Sequence, residues 1–160
     1  MNPCHPGSPG NHNDYQIMIP QMPILGPHDF DRLLDNILES IIDEATAADF
    51  YARLLEEAPN SLHRRFIMHA YEDELEHLEA FSRLYKHFTG VKPRYTIVPV
   101  QYATYEEGIL MALEDELEAA EFYRDVILSS TDQLVRDTFF HAMVDELEHA
   151  TQFGVLFGTL

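Results

Sequence analysis

Apolar side chains recur at alternating spacings of three and four residues in four stretches of this chain. Such spacing places them along one face of an α-helix, so it predicts four amphipathic helices. We expect helix 1 from Asp29 to about Ala58, and we expect helix 2 to begin after Asn60 or Ser61 and to end at Gly90. The glycine is a typical residue just past a helix C-terminus.

The second half of the chain repeats this arrangement. Thr104 and Glu107 form a capping box that opens helix 3, and helix 4 follows the break at residues 129–131. The links within each helix pair are short, whereas residues 91–103 form a long extended connection. The pattern therefore predicts an all-α fold: an antiparallel four-helix bundle over residues 29–160, made of two helical hairpins joined by a long crossover.

The two predicted hairpins have related sequences. Asp-Glu-Leu-Glu-His at residues 73–77 recurs letter for letter at residues 145–149, which is 72 positions later. The same offset relates Glu44 to Glu116, with Phe-Tyr following six residues after each. A repeat with no insertion over this span indicates two copies of one helical hairpin.

Six ionisable residues interrupt the otherwise apolar or aromatic helix faces. They are Glu44, Glu74, His77, Glu116, Glu146 and His149. Burying four carboxylates without a compensating cation is very unfavourable, whereas two divalent cations would balance four carboxylates and two neutral imidazoles. We interpret the six residues as ligands of a two-metal centre. The alternatives are a metal-free relic, or helix faces assigned one position out of register.

Residues beside these six are candidates to support them. Asp73 and Asp145 each precede a candidate glutamate, and each either orients a histidine on the opposing helix or is a solvated acid. Tyr51 and Tyr123 lie two turns beyond Glu44 and Glu116, where they either pack in the core or donate a hydrogen bond to a ligand carboxylate.

Other polar residues near the candidate ligands are not interpreted as ligands. His69 and His141 match each other in the repeat, and we interpret them as structural or supporting residues and not as ligands. Glu72, Glu76 and Glu79 are interpreted as a solvated helix face.

Charge limits the classes of partner. The chain has 160 residues with 28 Asp and Glu against 10 Lys and Arg, which gives a formal net charge of −18. This charge argues against binding to nucleic acid or an anionic membrane and favours cations. The chain has a single cysteine, Cys4, and no stretch typical of a signal peptide or a membrane span, so we expect a cytoplasmic protein. Residues 1–28 carry six prolines, which predicts a flexible tail.

The duplicated hairpin with its Glu-x-x-His pairs and lone glutamates resembles the ferritin-like di-iron carboxylate family, over roughly residues 29–157. It looks most like rubrerythrins and the bacterioferritin di-iron site. The resemblance implies that one metal is bound by Glu44 and His77, the other by Glu116 and His149, and both by bridging Glu74 and Glu146. Catalysis would then depend on the two bridging glutamates.

The same resemblance implies a function. It points to a binuclear non-haem iron protein, an oxidase or peroxidase that reduces hydrogen peroxide or dioxygen, with manganese or zinc as alternative metals. Rubrerythrins typically carry a further carboxylate at the position of Ala119, and many carry a rubredoxin module that this chain lacks. We therefore expect a more symmetric site and a separate electron-donor protein, and a homodimer from the family. The alternatives are a structural or spore-coat-associated protein with a non-catalytic or metal-storage site, and a dimanganese catalase.

Overall fold

Four α-helices account for most of the structure, a computed structural model that describes residues 29–160. The helices are α1 (Asp29–Glu57), α2 (Ser61–Thr89), α3 (Tyr105–Ser129) and α4 (Gln133–Phe157). The predicted all-α four-helix architecture is confirmed, with helix ends within a few residues of those expected. The tail predicted for residues 1–28 lies outside the described residues. None of the helices within residues 29–160 combines the length and apolar character that a membrane span needs.

The ends of α2 carry the capping residues that the sequence indicates. The side chain of Asn60 accepts hydrogen bonds from the backbone N–H groups of Leu62 and His63. Gly90 ends the helix with a φ of 75°, and its N–H donates to the carbonyl of Lys86. An L-residue with a side chain is disfavoured in this left-handed conformation, which explains glycine here.

The starts of α3 and α4 are capped by polar side chains. Thr104 accepts a hydrogen bond from the N–H of Glu107, as expected for a capping box. The return bond differs, because the Glu107 carboxylate accepts from the N–H of Ala103, one residue before the cap. In α4, Asp132 caps the helix and accepts from the N–H of Val135.

The helices pack as two hairpins set side by side. α1 packs along α2 and α3 along α4, and the two pairs meet mainly through α2 and α4 and less closely through α1 and α3. The apolar core forms two clusters, with the six ionisable residues between them along the bundle. The first cluster includes Ile37, Ile41, Phe81, Tyr123 and Phe139. The second cluster includes Phe50, Tyr51, Leu54, Ile67, Ile109 and Phe153.

Candidate metal centre

The six ionisable residues on the apolar helix faces all lie inside the bundle. Each is at most 3% exposed, and together they bring side chains from all four helices to the middle of the core. They are Glu44 from α1, Glu74 and His77 from α2, Glu116 from α3, and Glu146 and His149 from α4. Four buried carboxylates at one level of a bundle are uncommon unless charge is compensated there.

The ligand atoms of these residues form two overlapping groups of four. The first group is Glu44, Glu74, His77 and Glu146, and the second is Glu74, Glu116, Glu146 and His149. Within each group, one ligand atom from each residue lies within 4.8 Å of the others. Glu74 and Glu146 belong to both groups, whereas each group has its own glutamate and its own histidine. The arrangement could therefore hold metal ions in two adjacent positions that share two carboxylates.

Both histidines direct Nδ1 toward the carboxylates. His77 Nδ1 lies 3.3 Å from Glu146 Oε1, and His149 Nδ1 lies 3.3 Å from Glu74 Oε1 and 3.1 Å from Glu146 Oε2. The opposite ring nitrogens contact aspartates on the facing helix. His77 Nε2 lies 3.1 Å from Asp145 Oδ2, and His149 Nε2 lies 3.0 Å from Asp73 Oδ2.

These aspartates determine which nitrogen is free for a metal. An ionised carboxylate only accepts hydrogen bonds, so Nε2 of each histidine donates to its aspartate. In the neutral imidazole this leaves the Nδ1 lone pair directed at the glutamates. Asp73 and Asp145 also contact the partly exposed His69 at 3.5 Å and the exposed His141 at 3.0 Å, respectively. Each of these aspartates, with its two histidines, forms a further close group of possible ligand atoms.

Two buried tyrosines link the hairpins at the centre. Tyr51 Oη donates to Glu116 Oε1 at 2.6 Å, and Tyr123 Oη donates to Glu44 Oε1 at 2.5 Å. Each tyrosine therefore holds the outer glutamate of the other hairpin. Burial and the neighbouring carboxylates raise the pKa of both phenols well above its usual value, so both remain protonated donors.

The charges of the centre depend strongly on one another. Burial and the nearby carboxylates raise the pKa of Glu74 and Glu116 well above the usual range. Burial alone would lower the pKa of His77 and His149, but the glutamates around them outweigh it and raise each pKa to about 11. Glu146 is the exception: burial favours its neutral form, but the two histidines beside it outweigh burial and lower its pKa to about 2. Without metal, the centre therefore retains protons that a cation would displace.

Three buried polar atoms of the centre lack a hydrogen-bond partner among residues 29–160. They are Glu74 Oε1, His77 Nδ1 and Glu146 Oε1. The 3.3 Å approach of His77 to Glu146 does not have hydrogen-bond geometry, so proximity alone does not satisfy these atoms. A cation bound among the carboxylates would satisfy them, and the oxygen and imidazole donor set is one that iron, manganese and zinc accept. The residues present therefore fit a metal.

The centre is reached from outside through a cleft between α1 and α3. This cleft has a volume of about 420 Å³, and its inner wall includes Glu44, Glu74, Glu116 and Glu146. A second cavity, of about 470 Å³, lies between α2 and α4 and reaches only His77 among the six.

Asp43 and Asp115 lie on the outer part of the α1–α3 cleft. Burial and nearby carboxylates raise the pKa of Asp43 to about 7. The same effects raise the pKa of Asp115 to about 6. Negative charge is therefore concentrated along this cleft.

The structure places one buried histidine where the sequence pattern assigned no role. His63 is 1% exposed, with Nδ1 2.9 Å from Tyr105 Oη and Nε2 3.1 Å from Thr159 Oγ1. It joins the start of α2 to the start of α3 and to the C-terminal residues. Position 63 lies four residues before Ile67 and therefore on the same inward helix face, and this spacing could have predicted its burial.

The fold and this cluster define a class: a four-helix bundle whose core carries carboxylate and histidine groups able to hold metal. No protein-family model matches the chain. It is 31% identical over 123 residues to "Uncharacterized protein YhjR" of Bacillus subtilis (strain 168), a match that covers 76% of this chain and 83% of that protein. The chain belongs to the same family as YhjR.

Proposed function

We propose that this protein is a dinuclear non-haem iron oxidoreductase, similar to rubrerythrins, that reduces hydrogen peroxide or dioxygen. The observation that carries the proposal is the pair of overlapping ligand groups that share Glu74 and Glu146. Two divalent ions would balance the four glutamates when both histidines are neutral, so the buried charge would be compensated.

The residues around the centre support two similar metal positions. Glu44 and His77 would bind one ion, Glu116 and His149 the other, and the two shared glutamates would bridge them. Ala119 lies on the wall of the α1–α3 cleft, where it adds no ligand atom that would make the two positions unequal. Asp73 and Asp145 would keep Nδ1 of the histidines available by accepting the Nε2 hydrogen.

A pair of ferrous ions, when bound, would supply two electrons, which with two protons convert hydrogen peroxide into two molecules of water or dioxygen into hydrogen peroxide. The cleft between α1 and α3 gives a small oxidant a path to the four glutamates. The apolar clusters on either side would exclude bulk water from the rest of the centre. A separate reductant, which we expect to be another protein, must return the electrons for turnover.

Iron loading and peroxide consumption test this proposal. Protein reconstituted with Fe²⁺ without oxygen should bind two ions per chain and consume peroxide, and Glu74→Ala or Glu146→Ala should abolish consumption. Glu76→Ala and Glu148→Ala are matched controls, because they replace exposed glutamates on the same two helices. Unchanged turnover in both Glu74→Ala and Glu146→Ala would reject the assignment.

Metal analysis of the purified protein separates the related proposals. The donor set also accepts manganese or zinc. Two manganese ions per chain with peroxide disproportionation would favour a dimanganese catalase, and zinc without redox activity would favour a non-catalytic or metal-storage site. The spore-coat association and the homodimer remain predictions. The tail predicted for residues 1–28 lies outside the described residues.

A further inference from the structure

The cleft between α1 and α3 carries more acidic side chains than the centre uses. Eight of its lining residues are Asp or Glu, and four of these are not among the six candidate ligands. The additional acids are Glu39, Asp43, Asp115 and Glu118. No Lys, Arg or His lines the cleft within the described part of the chain, so the side chains along it that can carry charge near neutral pH are all acidic.

The inner end of this cleft has polar atoms that require a ligand. Glu74 and Glu146 line it, are 2% and 1% exposed, and each has an oxygen without a hydrogen-bond partner among residues 29–160. Carboxylate oxygens buried in this way are stabilised by a cation. The acidic cleft therefore ends at cation-binding atoms and is not merely a charged surface.

Asp43 and Asp115 have a special position along the cleft. They match each other in the repeat, and each immediately precedes an outer glutamate of the centre, Glu44 or Glu116. Asp43 lies on the α1 wall of the cleft and Asp115 on the α3 wall. Two acidic side chains on facing walls attract a cation that passes between them.

The second cavity lacks these properties. It reaches the centre only at His77, and Arg83 and His141 are among its lining residues. A cation that entered there would approach positively charged or titratable nitrogens and would not meet the unpartnered glutamate oxygens. The α1–α3 cleft is therefore the more favourable of the two cavities for a cation.

We infer that the cleft between α1 and α3 is the route by which divalent cations reach the centre, and that Asp43 and Asp115 steer them along it. The inference rests on the proposed function, since it requires that the centre bind metal. The two aspartates act on the rate of loading and are not ligands in the loaded protein. The loosest helix contact of the bundle lies on this side, so passage needs the least disruption of the core.

Stopped-flow loading of the metal-free full-length protein with Co²⁺ tests the inference, with the visible absorption of bound Co²⁺ as the signal. Asp43→Asn with Asp115→Asn should slow loading by about three- to tenfold, because a whole charged cleft typically changes association rates by about tenfold or more and the variant removes two of its eight acids. Loading of the unmodified protein should also slow with added salt, and that dependence should weaken in the variant. The final Co²⁺ content should be unchanged.

Two further variants make the result specific. Asp43→Glu with Asp115→Glu keeps the charge and should load at the rate of the unmodified protein. Glu76→Gln with Asp137→Asn removes two acids from the walls of the second cavity and should also leave the rate unchanged. Equal slowing in this control would show that the rate depends on the net charge of the protein, and would overturn the proposed route.

The remaining outcomes separate this inference from the proposed function. An unchanged rate in the Asp43→Asn, Asp115→Asn protein would overturn the inference while leaving a metal-binding centre. A lower final Co²⁺ content in that variant would show that the aspartates are ligands, which also overturns steering. If the unmodified protein binds no Co²⁺ at equilibrium, the proposed function itself fails, and the inference with it.

Discussion

Tyr51 of the first hairpin donates a hydrogen bond of 2.6 Å to Glu116 of the second. The repeat-related pair, Tyr123 and Glu44, makes the same contact in the opposite direction. Both bonds cross between hairpins at the level of the centre, so each half of the repeat positions an outer glutamate of the other half. The centre is therefore a joint product of both hairpins.

Removal of one tyrosine hydroxyl should weaken this link without creating a large cavity. A hydrogen bond to a charged group contributes about 1.5–3 kcal/mol, so Tyr51→Phe should lower the unfolding free energy by that amount. Tyr123→Phe should have a similar effect because its contact is equivalent. Thermal unfolding at a fixed free Mn²⁺ concentration measures the loss, with the exposed Tyr95→Phe as the control. An effect no larger than that of the control would show that these bonds do not support the glutamates.

The aspartates that accept from the histidines should influence metal affinity. Asp145→Asn leaves a side chain of similar shape but weakens the acceptor for His77 Nε2, which lies 3.1 Å away. Loss of such a partner typically lowers metal affinity about 10–100-fold. Competitive titration with a chelator measures the affinity, and Asp73→Asn should give an equal loss at His149. The exposed Glu72→Gln, on the same helix as Asp73, is the control; an equal loss there would indicate a general charge effect.

Metal should stabilise the fold. Ions that bind only the folded chain add about 2.7 kcal/mol per site at a free concentration 100 times the dissociation constant. We expect the midpoint of thermal unfolding to rise with free Mn²⁺, and to fall back when a chelator is added. Glu146→Gln removes a charge from both ligand groups and should abolish most of the rise. An unchanged midpoint in unmodified protein across a wide Mn²⁺ range would contradict the metal centre.

The metal-free protein should become less stable as pH rises from 5.5 to 7.5. The pKa of Asp43 is raised from 3.8 to about 7 and that of Asp115 from 3.8 to about 6, so the folded chain holds these protons more tightly than the unfolded chain. The stability that this difference contributes is lost as the pH rises through those values. The raised pKa values of His77 and His149 act in the same direction above 6.5. Burial lowers the pKa of His63, so this residue makes the fold more stable as the pH rises toward 6.5. It opposes the trend, but it is one group against several.

Thermal unfolding of the metal-free protein at the two pH values checks this expectation. The metal-loaded protein should respond in the opposite direction, because protons compete with metal for the imidazoles and carboxylates. A metal-free midpoint that is higher at pH 7.5 than at 5.5 would show that the retained protons do not stabilise the centre.

Much of this architecture could be predicted from the sequence. The spacing of three and four residues located the four helices, and the residues that cap them were visible at Asn60, Gly90 and Thr104. The same spacing placed the six ionisable residues on the apolar faces, where burial confirms them as inward-pointing. Glu72, Glu76 and Glu79, predicted as solvated, are exposed. Periodicity succeeds here because the position of a side chain around a helix depends only on its place along the chain.

Contacts between helices could not be predicted in this way. The sequence left Tyr51 with a choice between core packing and a hydrogen bond, and gave no sign that its acceptor would be Glu116. It also gave no role to His63, whose partners lie 42 and 96 residues away. Such contacts depend on how the helices are arranged around one another, which local periodicity does not specify.

The amino-acid sequence by itself determined two related hairpins and the six ionisable side chains that point inward from them, because helical geometry and an exact repeat leave little freedom. The tertiary structure decided that Glu74 and Glu146 lie in both ligand groups, and that the bundle is most open between α1 and α3. Those features arise from the side-by-side placement of four helices, since distances between separate helices are set by packing and not by spacing along any one of them.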